Sequence, residues 1–325
     1  MSCENDKPNR VKTTLIVRDK RMDSVKYWLI VLVITGHVVQ CFKVIPECEL
    51  IWIWIYLFHM PLFIFVSGYF SQKKSRRALK TSIWKLAEPL IIYQIIGLIF
   101  IVHSFTLIDI ITPCWVLWYL LGLIYWRLML QIIPDKVLNK PKLILSVTIC
   151  ISILAGFLPF NDILSIQKTL SFLPFFFLGY YMRDKNLFLP KIYKPLCLLF
   201  LILSFAIPLF YSQYLGSLTH DGSYVCYYDA IRRLIVFGLS IPMSLAFINV
   251  CINRPWIARQ GQLTMQYYIY HALVLYPFLE IMSKFGFPLS LLTAIFYTLV
   301  ITILIGILSY LPNFSKFTNP SLFLK

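Results

Sequence analysis

The feature that most constrains this chain is a succession of long apolar runs separated by short breaks. From Ser24 to Tyr310 the runs recur at lengths of roughly 17 to 25 residues, and a helix of about 20 residues crosses the hydrocarbon core of a bilayer. The composition agrees, because 59% of the residues are hydrophobic and only 14% are charged. The sequence therefore predicts an all-α integral membrane protein, a multi-pass bundle of transmembrane helices.

Ten spans are predicted, with both chain termini on the cytoplasmic side. Their approximate limits are 24–42, 51–70, 82–104, 115–133, 143–157, 169–183, 195–211, 234–252, 263–282 and 289–310. The net charge of +16 is concentrated in alternate loops, and the positive-inside rule assigns those loops to the cytoplasm. We thus expect a cytoplasmic tail at 1–23, a transmembrane domain at 24–311 and a second cytoplasmic tail at 312–325.

Motifs typical of other classes of site are missing from the sequence. The eight cysteines have no metal-ligand spacing, and neither a glycine-rich phosphate loop nor H-E-x-x-H occurs. We expect no bound metal and no nucleic-acid partner, because the basic residues follow the pattern of membrane topology. No small-residue cleavage site follows the first apolar run, which predicts that this run is a retained helix.

The first span carries an unusual stripe of ionisable residues, in the stretch "RMDSVKYWLIVLVITGHVVQ". Lys26 and His37 are eleven positions apart, so at about 100° per residue they share a helix face and lie roughly 16 Å apart along the axis. Asp23 lies within about 40° of the same face, one turn from Lys26. Ionisable groups inside a membrane are costly, roughly 2.5 to 3.5 kcal/mol each, and therefore indicate function. The pattern resembles a path that ends at a reactive imidazole.

Two further histidines fall midway along predicted spans. His59 lies in "YLFHMPLFIFVSGYF" and His271 lies in "LTMQYYIYHALV". In the ninth span Gln260, Thr264, Tyr267 and His271 follow i, i+4, i+7 and i+11, which places them on one polar face. These residues predict an internal polar cavity in which at least one histidine transfers protons, although a structural imidazole bonded to a neighbouring helix is the plain alternative.

Other polar residues are more ambiguous. The longest outer loop, "SQYLGSLTHDGSYVCYYDAIRR", places Asp221, Tyr227, Asp229 and Arg232 beside the membrane. Carboxylates with aromatic faces suit a sugar, but a solvated loop has a similar composition. Arg127 is interpreted as a side chain that snorkels to the cytoplasmic interface. The aromatic group Trp115, Trp118, Tyr119 and Trp126 is interpreted as interfacial belt and packing.

Several segments in order along the chain resemble the membrane acyltransferase-3 family, in particular its polysaccharide and fucose O-acetylase-like branch. "RMDSVKYWLIVLVITGH" is similar to the family's opening, in which a basic residue precedes the first-span histidine by eleven positions. "FHMPLFIFVSGYF", "LPFFFLGYYMRDK" and "YIYHALV" are similar to later segments. "KKSRRALK" resembles the basic segment before the third span, although a strict R-x-x-R is absent.

The resemblance implies acyl transfer from a cytoplasmic acyl-CoA, normally acetyl-CoA as co-substrate, to a carbohydrate hydroxyl at or across a cell membrane, such as a bacterial cytoplasmic membrane. His37 would be the catalytic base, and Lys26, Asp23, His59 and His271 would be the other catalytic residues. The CoA phosphates would be bound by a cytoplasmic basic cluster. That cluster comprises Lys73, Lys74, Arg76, Arg77 and Lys80. The outer-loop residues Asp221, Tyr227, Asp229 and Arg232 would contact the acceptor. Membrane lipid and polysaccharide-assembly proteins are expected partners.

Two other functions fit a polar-lined bundle. A multi-span transporter or flippase of glycan precursors is one, although the sequence contains no visible inverted repeat. A non-catalytic membrane component of a polysaccharide-assembly complex is the other.

Overall fold

The computed structural model describes residues 19–103, 105–159, 162–183, 185–211, 223–286 and 288–311. Within these ranges the chain forms helices and no strand. The first seven α-helices are α1 (Lys20–Cys41), α2 (Pro46–Tyr69), α3 (Arg76–Gly97), α4 (Leu107–Ile111), α5 (Trp118–Ile132), α6 (Asp135–Leu138) and α7 (Pro141–Ala155). The other seven are α8 (Ile166–Tyr181), α9 (Lys194–Ser204), α10 (Ala206–Tyr211), α11 (Tyr228–Val250), α12 (Pro255–Gly261), α13 (Thr264–Lys284) and α14 (Leu291–Tyr310).

The predicted helical membrane bundle is confirmed at the level of its architecture. Eight helical segments of the described chain are long and apolar enough to cross a membrane. All ten predicted spans coincide with helical segments, but α7, the fifth, has only 15 residues and α13, the ninth, is not among those eight. The count of ten and the cytoplasmic position of the termini therefore stay predictions, and residues 1–18 and 312–325 of the predicted tails lie outside the described ranges.

Local sequence explains where the helices begin. The side chain of Asp19 accepts hydrogen bonds from the backbone N–H groups of Arg21 and Met22, so α1 starts inside the segment predicted as a tail. Ser75 caps α3 in the same way through Ala78. Helices α2, α7, α9 and α12 each carry a proline in the first turn, where the missing N–H costs nothing.

Helix α2 lies at the centre of the bundle and contacts α1, α8, α10, α11 and α14. Its closest neighbour is α8, and two glycines allow this approach. A Cβ atom on Gly68 would collide with the carbonyl of Phe176, and one on Gly179 would collide with the carbonyl of Phe65. In a membrane the hydrophobic effect does not drive helices together, and small residues favour their association because they let the helix backbones approach closely.

A buried arginine ties three helices together on one side of α2. Arg233 of α11 is 1% exposed. Its Nη1 donates to the backbone carbonyl of Ser152 on α7 at 2.7 Å and to Oγ of Ser171 on α8 at 3.1 Å. Its guanidinium lies 4.6 Å from the ring centre of Tyr224. These contacts explain how a charged residue is kept within the bundle.

Candidate active site

His37 lies near the end of α1, among polar and aromatic side chains of three other helical segments. Its Nδ1 is 3.3 Å from Oε1 of Gln40 and 3.3 Å from the hydroxyl of Tyr56, which itself donates to Gln40 at 2.9 Å. The ring stacks against His271 at 5.4 Å between centres and meets the edge of Trp115 at 4.7 Å. Because Gln40 Oε1 only accepts, Nδ1 of the neutral ring carries the proton and Nε2 keeps a lone pair.

His59 and His271 are held in the same tautomer. Nδ1 of His59 donates to the carbonyl of Ile55 at 2.9 Å, and Nδ1 of His271 donates to the carbonyl of Tyr267 at 3.1 Å. Both side chains are buried, at 2% and 1% exposure. Nε2 of His271 is buried and has no hydrogen-bond partner among the described residues. The predicted convergence of three histidines is thus present in the fold, with the Nε2 atoms left as proton acceptors.

The cavity at this point, called the histidine cavity, has a volume of about 370 Å³. It is lined by His37, Gln40, Lys43, Glu49, Trp52, Tyr56, His59, Met60, Trp115, Val116, Trp118, Lys168 and Phe172. Aromatic rings therefore face a space that also contains amide, carboxylate and ammonium groups. Lys43 lies over the ring of Trp52 at 3.1 Å, which shows how closely cation and indole pack here. Trp115 and Trp118, interpreted from sequence as belt residues, are lining residues of this cavity.

A second cavity, called the Lys26 cavity, lies toward the other end of α1 and has a volume of about 280 Å³. Its polar lining residues are Lys26, Ser67, Tyr119, Arg127, Gln262, Thr264 and Tyr268. Lys26 Nζ forms an ion pair with Asp23 Oδ1 at 2.6 Å, and Asp23 is 1% exposed. The predicted stripe on α1 is therefore present, but Lys26 and His37 face two cavities instead of one open path.

A hydrogen bond links the linings of the two cavities. Tyr268 lines the Lys26 cavity and its hydroxyl donates to the carbonyl of Val116, which lines the histidine cavity. The Tyr268 ring is also 5.9 Å from the ring of His271 and 5.3 Å from that of Tyr119. Tyr268 thus contacts both Tyr119 of the Lys26 cavity and His271, which stacks on His37.

The ninth-span stripe is divided by a helix break. Gln260 lies in α12, whereas Thr264, Tyr267 and His271 lie in α13, so the four residues do not share one helix as the spacing predicted. Tyr267 nevertheless donates its hydroxyl hydrogen to Oε1 of Gln260 at 2.8 Å, which keeps the two helices in register.

The basic residues predicted to bind the donor phosphates do not form one cluster, because their side chains have different partners and exposure. The Nζ of Lys73 forms an ion pair with Asp135 at 2.6 Å and donates a hydrogen bond to the carbonyl of Ile133 at 2.6 Å. Lys74 turns inward, where its Nζ contacts Ser82 Oγ at 3.0 Å. Arg76, Arg77 and Lys80 are exposed on the first turns of α3.

Arg127 joins Lys74 at Ser82, and its interpretation as a snorkelling side chain stays a prediction. Its Nη1 donates to Oγ and to the carbonyl of Ser82, at 2.8 and 3.2 Å, and the side chain lines the Lys26 cavity. Partial burial, together with the nearby charges of Arg127 and Lys85, holds the pKa of Lys74 below its usual value. Sequence reasoning missed this inward pair of cations because a basic residue near a span end is equally typical of the interface.

The residues predicted to contact the acceptor lie elsewhere. Asp221 is outside the described residues. Asp229 accepts backbone hydrogen bonds from Val225 and Cys226 and pairs with Arg232 at 2.6 Å, at the start of α11. Tyr227 is 66% exposed and stacks on Tyr228. Asp229, Arg232 and Tyr227 do not line the histidine cavity.

Comparison with known families identifies the family of the chain. A family model described as an acyltransferase domain, that of acyltransferase-3, matches residues 19–311, which include both cavities. The chain belongs to the acyltransferase-3 family. No curated protein and no solved structure was found to match it. This acyltransferase-3 protein is accordingly a multi-pass membrane acyltransferase.

Proposed function

We propose that this acyltransferase is an O-acetyltransferase of the O-acetylase-like branch, which moves acetyl from cytoplasmic acetyl-CoA to a hydroxyl of a cell-surface or lipid-linked glycan. The proposal places it in a bacterial cytoplasmic membrane, with its basic loops on the cytoplasmic side. One observation carries the proposal. A cation-lined cavity and a histidine-lined cavity occupy opposite ends of α1, and a hydrogen bond from Tyr268 to Val116 links their linings.

The Lys26 cavity is the proposed entry for the donor. Arg127 and Lys26 line it, and Lys74 lies next to Arg127 at Ser82. CoA phosphates carry several negative charges, and charge-assisted hydrogen bonds to arginine and lysine are the strong ones in proteins. The axial rise of roughly 16 Å from Lys26 to His37 is comparable with the reach of a pantetheine arm. The thioester reaches His37 when the contact between Tyr268 and Val116 opens.

The histidine cavity is the proposed place of reaction. Nε2 of His37 takes the proton of the acceptor hydroxyl while that oxygen attacks the thioester carbonyl carbon. The tetrahedral intermediate then collapses, the C–S bond breaks, and the departing thiolate takes up a proton to give free CoA. Gln40 and Tyr56 hold Nδ1 of His37, which keeps Nε2 in the accepting tautomer.

The lining of the histidine cavity favours a carbohydrate acceptor. Trp52, Trp115 and Trp118 offer flat apolar faces for sugar C–H surfaces, and Gln40, Glu49 and Lys168 offer hydrogen-bonding groups. In this proposal the histidine cavity, and not the loop that contains Asp229, contacts the acceptor.

The experiment uses everted membrane vesicles from cells that express the protein, so that the predicted cytoplasmic face is accessible. Acetyl-CoA labelled in the acetyl group is added outside the vesicles, and label in extracted glycan is measured together with release of free CoA. We expect labelled glycan and an equal amount of CoA, and no product from vesicles that lack the protein. Glycan that crosses the membrane without gaining label would support a flippase and would overturn the proposal.

A further inference from the structure

A third cavity, near the proposed cytoplasmic end of the bundle, is not part of either cavity described above. It has a volume of about 500 Å³ and lies where α1, α9 and α11 come together with the segments before α9 and before α12. Its polar lining comprises Arg21, Lys191, Lys194, Asn249, Asn253 and Arg254, among other residues. We call it the basic pocket.

Charge is the first property that identifies an occupant. Four cationic side chains line the basic pocket, and no aspartate or glutamate is among its described lining residues. Arg21 is positioned by the ring of Phe188, 5.3 Å from its guanidinium carbon. Four cations that share one pocket, without an acidic residue in its lining, favour the binding of an anion. A group with several acceptor oxygens, such as a phosphate, suits them best.

An apolar pocket adjoins the basic pocket and supplies the second property. It has a volume of about 180 Å³ and lies between α2, α8 and α11, with no polar surface. Ile248 lines both pockets. Asn249, the next residue, lines the basic pocket and donates to the carbonyls of Leu187 and Leu245, whose side chains line the apolar pocket. Ile248 thus forms a wall common to a cationic space and an apolar space.

The surroundings place this pair of pockets at a membrane surface. Ile192 is 81% exposed, Trp256 is 58% exposed and Ile252 is 50% exposed, all beside residues of the basic pocket. In a membrane protein, exposed apolar side chains face lipid, and tryptophan beside basic residues is typical of the headgroup layer.

The pair of pockets is separate from the acyl-transfer site because α1 lies between them. Arg21, Ser24 and Val25 face the basic pocket, whereas Lys26 and Leu29 face the Lys26 cavity. A ligand in the basic pocket therefore does not contact the residues proposed to bind the donor.

We propose that the basic pocket and the apolar pocket together bind one anionic phospholipid. Its phosphate lies among Arg21, Lys191, Lys194 and Arg254, and one acyl chain lies in the apolar pocket. A soluble phosphate would account for the cations but leaves the adjoining apolar pocket without a function.

The test is lipid retention by the purified full-length protein in detergent, measured by native mass spectrometry during titration with phosphatidylglycerol or phosphatidylcholine. We expect tighter binding of phosphatidylglycerol to wild type. The triple variant Lys191→Ala, Lys194→Ala, Arg254→Ala should weaken that binding roughly a hundredfold, since each cation near a membrane surface contributes about a fivefold effect. Equal retention of the two lipids by wild type would overturn the proposal.

Matched controls separate site binding from general charge and from soluble phosphates. The control variant Lys136→Ala, Lys140→Ala, Lys142→Ala removes three exposed cations from α6, the segment after it and the first turn of α7, and should bind phosphatidylglycerol as wild type does. Ser244→Phe places a ring in the apolar pocket and should weaken lipid binding without a change of charge. If Ser244→Phe has no effect and glycerol 3-phosphate or CoA displaces the lipid, the pocket binds a soluble phosphate and the lipid assignment is wrong.

Discussion

The ion pair between Asp23 and Lys26 allows a structural role of Lys26 to be separated from a role in donor binding. The two charges are 2.6 Å apart, and the side chains are 2% and 22% exposed. At an effective dielectric constant near 20 their attraction is about 6 kcal/mol, most of which offsets the cost of burying the carboxylate. Removal of one partner therefore matters more than removal of both.

Three variants give the expected magnitudes. Lys26→Met leaves a buried carboxylate without its cation and should destabilise the fold by about 3 kcal/mol, the low end of the range for buried pairs because Lys26 is partly exposed. Asp23→Asn leaves a lysine that can reach water and should cost about 1 to 2 kcal/mol. The double variant should be within about 1 kcal/mol of wild type, which corresponds to a coupling energy of roughly 3 kcal/mol.

The assay combines unfolding in detergent, followed by tryptophan fluorescence, with the KM for acetyl-CoA of the same preparations. If Lys26 contacts the donor, the double variant regains stability but keeps a raised KM. Full recovery of both stability and KM would refute a donor-binding role for Lys26. A coupling energy near zero would refute the ion pair itself.

Three further predictions address the donor end and the helix packing. Arg127→Gln should raise the KM for acetyl-CoA by roughly 10-fold to 100-fold, the effect of one lost charge-assisted contact, whereas Arg76→Ala with Arg77→Ala should raise it less. Steady-state kinetics of CoA release measure both KM values. A larger rise in the Arg76 and Arg77 double variant would contradict an inward donor site. Since the pKa of Lys74 is lowered, this side chain loses its positive charge at a lower pH than an ordinary lysine does, and donor affinity should fall as pH rises. In a series of KM measurements at different pH, Lys74→Arg should show a smaller fall of donor affinity than wild type. Gly179→Ala places a methyl group against the Phe65 carbonyl and should lower the yield of monodisperse protein. In the control Gly238→Ala the new methyl group meets nothing within 4 Å and should stabilise α11 by up to about 1 kcal/mol. Equal behaviour of the two variants in size-exclusion chromatography would contradict the close approach of α2 and α8.

The bundle and the histidine cluster could be predicted because their signals are local. Each apolar run is long enough to indicate its own helix, and His37, His59 and His271 are conspicuous because an imidazole inside a membrane is costly. The spacing of Lys26 and His37 on one continuous helix likewise follows from helix geometry, and α1 is continuous from Lys20 to Cys41.

The details of the site depend on which helices pack together, and the sequence does not show this. Lys73 is neutralised by Asp135, 62 positions later in the chain, because the start of α6 returns to the segment before α3. Arg127 turns inward because α5 packs on α3 and presents Ser82 to it. Gln40 lies three residues after His37 on α1, whereas only the packing of α2 on α1 brings Tyr56 to His37.

The most direct test of the central claim is the turnover of His37→Ala, measured as label transferred from acetyl-CoA to glycan by protein of verified thermal stability. His103→Ala, which changes an exposed histidine outside both cavities, is the matched control. We expect turnover of His37→Ala to fall by roughly 10² to 10⁴-fold, with a melting temperature close to that of His103→Ala. Near wild-type transfer by His37→Ala, together with its loss in His59→Ala or His271→Ala, would contradict the assignment of His37 as the base.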